Sequence, residues 1–113
     1  MKFKDGVITQ ITTIVGGKAQ VNEPAAETLF FIELTDRLSR KVTGKEIVVT
    51  SLLDGKHMTG SLHYLGKAFD IRTSIYTKAE TTRLIAALRQ FDDTLDIVDE
   101  GDHIHIEIDV KNT

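Results

Sequence analysis

Cysteine is absent from this 113-residue chain, so the side chains available to hold a metal are four histidines, His57, His63, His103 and His105, and seventeen carboxylates. Without thiolates there are no disulfides, no cysteine nucleophile and no cysteine-type zinc site. A catalytic zinc site built from imidazole and carboxylate takes three protein ligands and leaves a fourth position open. Candidates for those three ligands lie on two separate segments: His63 and Asp70 within "SLHYLGKAFDIRT", and a histidine of the run His103-Ile104-His105. His63 and Asp70 stand seven residues apart, which cannot place both on one face of a straight strand, because side chains alternate with a period of two. A bend is therefore required between them, and Gly66 lies there. Asp99, Glu100 and Asp102 immediately precede the histidine pair, and a carboxylate beside a metal-activated water is what a general base needs. Each feature also has a plainer reading taken singly. His63 and Asp70 suit a strand-turn-strand unit, the His-x-His run suits a solvent face, "DEGD" suits a solvated turn, and His57 suits a loop.

The elements that must position these residues can be read from periodicity and caps. Residues 7–14, "VITQITTI", are β-branched and loosely alternating, and predict a strand with a turn at Gly16 and Gly17. Asn22 offers an N-cap with Pro24 in the first turn, and Phe30, Leu34, Leu38 and Val42 fall at helical spacing, with Gly44 as the stop. Residues 46–53 form a β-branched run closed by Asp54-Gly55, which predicts a strand and a turn. An irregular loop over 57–67 leads into a short strand, "AFDIRT". Thr77 and Glu80 form a T-x-x-E capping box, followed by the apolar stripe Leu84, Ile85, Leu88 and Phe91 of a second helix over 78–91. "LDIV" and "HIHIEIDV" supply two closing strands. In the last of these, Ile104, Ile106, Ile108 and Val110 share one face, and His103, His105, Glu107 and Asp109 the other. One face is core, and the other is solvent or the wall of a site. The order predicts an α+β fold, a small and mainly antiparallel sheet with two helices packed on one face.

Length and composition bound the rest. One domain over 1–113 is expected, with one core. Apolar residues make up 41% and charged residues 27%, which excludes a disordered or fibrous chain. The net charge of -3 gives no electrostatic reason to expect nucleic acid or an anionic membrane as partner. No run reaches the length of a membrane span, and residues 1–13 lack the apolar stretch of a secretory signal. The chain as given is therefore expected to stay in the compartment where it is made unless another device releases it.

Taken together, "VTSLLDGKHMTGSLHYLGKAFDI" (49–71) and "DEGDHIHIEI" (99–108) resemble the zinc peptidases that act on bacterial cell-wall peptides. That family includes D-alanyl-D-alanine carboxypeptidases and dipeptidases and the L-alanyl-D-glutamate endopeptidases of phage endolysins. Its pattern S-x-H-x-x-G-x-A-x-D is met by Ser61, His63, Gly66, Ala68 and Asp70. The same wording is similar to the signalling domain of hedgehog proteins, which shares the fold and its zinc site.

The resemblance implies Zn2+ held by His63, Asp70 and His105, a ligand set that suits zinc best among the common metals. It implies that His103 lies alongside, where it could polarise a carbonyl or stabilise an oxyanion, and that Ser61 hydrogen-bonds substrate. Glu100 would be the general base, with Asp102 and then Asp99 as alternatives. The activity implied is metal-assisted amide hydrolysis of peptidoglycan stem peptides or related short peptides. A chain of this size without a wall-binding module would suit a phage or prophage enzyme acting on the cell wall. One departure stands out: many relatives carry a Tyr-Arg pair, the arginine anchoring a substrate carboxylate, where this chain has Leu52 and Leu53. Lys56 or Arg72 could replace that anchor. The departure keeps a second expectation open, a non-catalytic, hedgehog-like zinc-binding module.

Overall fold

The computed structural model describes residues 1–53 and 66–108. The elements run β1 (Lys2–Phe3), β2 (Ile11–Val15), β3 (Lys18–Asn22), α1 (Ala26–Thr43), β4 (Val48–Ser51), β5 (Ala68–Arg72), α2 (Lys78–Phe91), β6 (Asp96–Asp99) and β7 (His103–Glu107). Five strands form one sheet in the order β1-β4-β5-β7-β6, and β2 and β3 form a separate hairpin. The β1–β4 pairing is parallel and the other three in the large sheet are antiparallel. The α+β class and the mainly antiparallel sheet therefore hold, with one parallel edge making the sheet mixed.

Strand alternation divides the large sheet into two faces. Val49, Phe69, Ile71, Ile97, Ile104 and Ile106 point to one side and are buried. Both helices cover that side, α1 contributing Phe31 and Ile32 and α2 contributing Leu84 and Leu88 to the same core cluster. The pairs Phe69–Ile106 and Ile71–Ile104 lie directly opposite in the β5–β7 ladder, so the best-packed rows cross the middle of the sheet.

The caps account for the helix ends. At α2, Thr77 Oγ1 accepts from Glu80 N at 3.1 Å and Thr77 N donates to Glu80 Oε1 at 2.9 Å, the reciprocal box expected from the sequence. Gly44 ends α1 at φ 77°, with its N–H donating to Arg40 O. The start of α1 differs from the reading above. Asn22 is the last residue of β3, and the N-cap is Ala25, whose side chain makes no cap hydrogen bond. The helix entry is tied down from a distance instead, Ala25 N donating to Gly66 O at 3.0 Å and Thr28 Oγ1 donating to the same oxygen at 2.6 Å.

The rotation of α1 also differs. Its buried side runs through Thr28, Phe31, Ile32, Thr35, Asp36 and Ser39, while Phe30 is exposed and Leu34, Leu38 and Val42 pack only partly against the core. Hydroxyls and a carboxylate can face inward because each has a partner. Thr35 Oγ1 donates to Phe31 O, Ser39 Oγ donates to Lys45 O, and Asp36 Oδ1 accepts from Ile47 N. No helix among the described residues is long and apolar enough to cross a membrane.

Candidate metal centre on the polar face

The second face of the large sheet is polar, and no helix of the described residues covers it. On β5 and β7 it consists of Asp70 and Arg72 opposite His105 and His103, with Glu107 opposite Ala68. Ser51 joins it from β4. The β4–β5 register shifts between Val49 and Ser51, so that two residues of β4 advance against one of β5 and Ser51 comes opposite Asp70. Such a bulge re-aims a side chain at the edge of a site.

Asp70 and His105 form the centre of this face. They are 35 residues apart in sequence and direct partners in the ladder, and Asp70 Oδ1 lies 2.8 Å from His105 Nδ1. The other ring nitrogen, Nε2, lies 2.7 Å from Glu107 Oε1. The side chains of Asp70 and His105 are only 14% and 16% exposed, so the contacts are partly shielded from water. The hydrogen bond to Asp70 raises the His105 pKa. Burial opposes the rise and the hydrogen bond to Glu107 adds to it, leaving the imidazole pushed up to about 9.

An imidazole and a carboxylate, the donor kinds of His105 and Asp70, are both ligands that zinc accepts. Two donors on one tetrahedral zinc, at bond lengths of about 2.0–2.1 Å, stand roughly 3.3 Å apart. Asp70 Oδ1 and His105 Nδ1 need to separate by only about half an ångström from their 2.8 Å contact. A metal held there would take the place of the proton on Nδ1. Among the described residues, no three His, Asp or Glu side chains are gathered so as to hold an ion. The third ligand expected from the sequence, His63, lies outside the described residues, as do Ser61, His57 and Lys56.

The "DEGD" segment is the β6–β7 turn. Gly101 adopts φ 95° and its N–H donates to Asp99 Oδ1, so Asp99 holds the turn. Thr73, just beyond β5, ties the turn down by donating from Oγ1 to Gly101 O and from its backbone N–H to Asp102 O. This sets the carboxylates around His103. Asp102 Oδ1 lies 2.5 Å from His103 Nδ1, although its side chain is 90% exposed. The far nitrogen, Nε2, points toward the centre, 3.8 Å from Asp70 Oδ2 and 3.8 Å from Glu100 Oε1. Of the three carboxylates named as general base, Asp99 holds the turn, Asp102 contacts the outer nitrogen of His103, and Glu100 stands beside the inner one.

An open pocket of about 370 Å³ adjoins the pair, lined among others by Lys4, Ser51, Asp70, Arg72, Asp102 and His103. The Lys4 ammonium and the Arg72 guanidinium make no hydrogen bond or ion pair with the described residues and supply the positive charge of this pocket. Leu52 and Leu53 are 1% and 3% exposed and belong to the core. The positions where relatives of the resembled family carry Tyr-Arg are therefore packing residues in this chain, whereas Arg72 lies in the pocket.

Sequence reasoning named Asp70, His103, His105, Glu100 and Asp102, and the structure brings all five to one end of the polar face. Glu107 was legible as a face-mate of the histidines by alternation, without a role. Ser51 and Lys4 carried no signal, because one depends on a bulge and the other on a two-residue strand pairing across 46 positions. No family model matches the chain, and no curated protein does.

Proposed function

We propose that the chain is a zinc-dependent peptidase of the D-alanyl-D-alanine carboxypeptidase type, hydrolysing peptidoglycan stem peptides or related short peptides at the cell wall. The observation that carries this reading is the Asp70–His105 pair: two donors from distant segments, in contact at 2.8 Å on a polar face, with His103 and Glu100 at its edge. Asp70, His105 and His63 would hold the metal, which when bound supplies Lewis acidity toward the scissile carbonyl.

The chain's own groups divide the remaining work. Glu100, at the inner side of His103, takes the proton from the attacking water and delivers it to the leaving amine. His103 keeps its Nε2 edge toward the reacting carbonyl, where an N–H donor stabilises developing negative charge. Asp102 fixes that ring by its contact with Nδ1. Lys4 and Arg72 receive the substrate carboxylate in the adjoining pocket, and Ser61 adds a hydrogen bond to substrate.

The test is metal content of the purified protein by mass spectrometry, beside Asp70→Ala and His63→Ala variants, followed by hydrolysis of stem peptides. Close to one zinc per chain, lost in both variants, together with turnover abolished by Glu100→Gln, supports the proposal. Absence of metal after incubation with zinc removes it. Zinc without turnover on any stem peptide leaves a metal-binding module and removes the peptidase.

A further inference from the structure

Glu107 meets the second ring nitrogen of the metal-ligand candidate His105. Its Oε1 accepts from His105 Nε2 at 2.7 Å, while Nδ1 on the opposite edge of the same ring meets Asp70 at 2.8 Å. A half-turn of the ring would set carbon atoms against both carboxylates and lose both hydrogen bonds, so the ring orientation is determined by the two together. Neither contact follows automatically from the ladder. Glu107 stands two residues from His105 on the same strand face, roughly 6.5–7 Å away along the backbone. A glutamate arm bridges that gap, and an aspartate would fall short. In register Glu107 also faces Asp96 of β6, an exposed acid. Two acids directly opposite each other repel, which favours the turn of Glu107 toward the imidazole.

We infer that Glu107 is a positioning residue: it holds a proton of His105 on Nε2 and so leaves Nδ1, beside Asp70, as the nitrogen that would give up its proton to a divalent metal. This rests on the metal reading above and extends it by one residue. The physical reason is that an imidazole ligand has one nitrogen for the metal and one for an outer acceptor. An acceptor fixed on Nε2 selects the tautomer in which Nδ1 carries the lone pair. Without that acceptor the neutral ring is free to keep its proton on Nδ1, hydrogen-bonded to Asp70, where it competes with the ion.

The experiment compares zinc dissociation constants, by competition with a chromophoric chelator, for the wild-type chain and for Glu107→Ala, Glu107→Gln and Asp96→Ala. Removal of an outer-shell partner of a ligating histidine weakens affinity by about 10–100-fold, and that is the loss expected for Glu107→Ala. Glu107→Gln keeps a carbonyl acceptor and loses the charge, so its affinity should fall between the two. Asp96→Ala removes a neighbouring charge without touching His105 and should bind within about twofold of wild type. A second readout is the ring nitrogen spectrum of His105 in the zinc-loaded protein. An Nε2 proton in slow exchange is expected in the wild type, and a fast-exchanging one in Glu107→Ala.

Wild-type affinity in Glu107→Ala, or an equal loss in Asp96→Ala, overturns the inference while leaving the metal site standing. If Glu107→Ala does not fold, wild-type affinity in Glu107→Leu, which keeps bulk and removes the acceptor, overturns it instead. A wild-type chain that binds no zinc overturns the metal reading itself.

Discussion

Gly66→Ala tests how tightly the motif glycine is built into the fold. Gly66 adopts φ +73°, and a Cβ placed on it would stand 2.8 Å from Glu23 O, 2.9 Å from Pro24 Cα and 3.3 Å from Ala25 N. All three are backbone atoms at the entry to α1, and the first is about 0.6 Å inside the 3.4 Å at which ordinary contact begins. They cannot move away freely, because Ala25 N and Thr28 Oγ1 both donate to Gly66 O. The left-handed backbone costs an alanine about 1–2 kcal/mol, and forcing the overlap costs about 1–3 kcal/mol more. Gly44→Ala is the matched control. Its φ is nearly the same, +77°, and nothing lies within 4 Å of its Cβ position, so it carries the backbone cost alone. For a domain of this size about 1 kcal/mol moves Tm by roughly 4 °C. The expected losses are therefore about 4–8 °C for Gly44→Ala and about 8–20 °C for Gly66→Ala, read by calorimetry and checked by urea unfolding. Equal losses in the two variants would refute the steric argument, and a neutral Gly66→Ala would refute both parts.

Three further outcomes follow from contacts already described. His105 has its pKa raised above the unfolded value, so in metal-free protein its contribution is fully present below about pH 6.5 and is lost as pH rises through about 9. On the order of 2 kcal/mol is at stake after allowing for partial solvent contact, and the urea midpoint should fall across that window in wild type and by clearly less in Asp70→Asn, where only Glu107 still raises the pKa. Burial alone would raise the Asp36 pKa, but hydrogen bonds from Arg40 and Ile47 N hold it below the usual carboxylate value. Its contribution is thus present above about pH 4 and lost as pH falls through the lowered pKa. Asp36→Ala should cost about 1–3 kcal/mol at neutral pH by orphaning Ile47 N, and a midpoint unchanged from wild type would contradict that. Thr77→Ala removes the Oγ1 acceptor of the capping box and should lower stability by about 1 kcal/mol. No change in Tm would show that Glu80, which also receives Lys45 Nζ at 2.7 Å, holds the helix start by itself.

Local signals in the chain carried through where local physics decides. The bounds of α2 follow from Thr77 and Glu80, the end of α1 from Gly44, and the two faces of β7 from strict alternation. Signals failed where a distant partner decides. Residues 7–14 read as one strand, whereas the hairpin is Ile11–Val15 against Lys18–Asn22 around the Gly16-Gly17 turn, and "KAQVN" has no pattern that announces a strand. β1 exists only because Lys2 and Phe3 pair with Val48 and Val49. The phase of α1 was misread from Phe30, because the helix turns toward partners for Thr28, Asp36 and Ser39 that no spacing rule reveals. For the site, alternation showed which side chains share a face, but only the register shows that Asp70 meets His105 rather than His103.

The positions of β5 and β7 in the strand order β1-β4-β5-β7-β6 have a consequence for how this centre can be observed. Both strands have neighbours on either side, so the two donors sit where hydrogen exchange is slowest and opening approaches global unfolding. Fraying at β1 or β6 does not separate them. An ion bridging Asp70 and His105 would then keep both of its donors in place through local fraying, and its binding energy would appear undiluted in the melting curve. At a hundred times its dissociation constant, a ligand adds about 2.7 kcal/mol to stability. Screening divalent cations by thermal shift would therefore rank their affinities for this centre before any substrate is in hand.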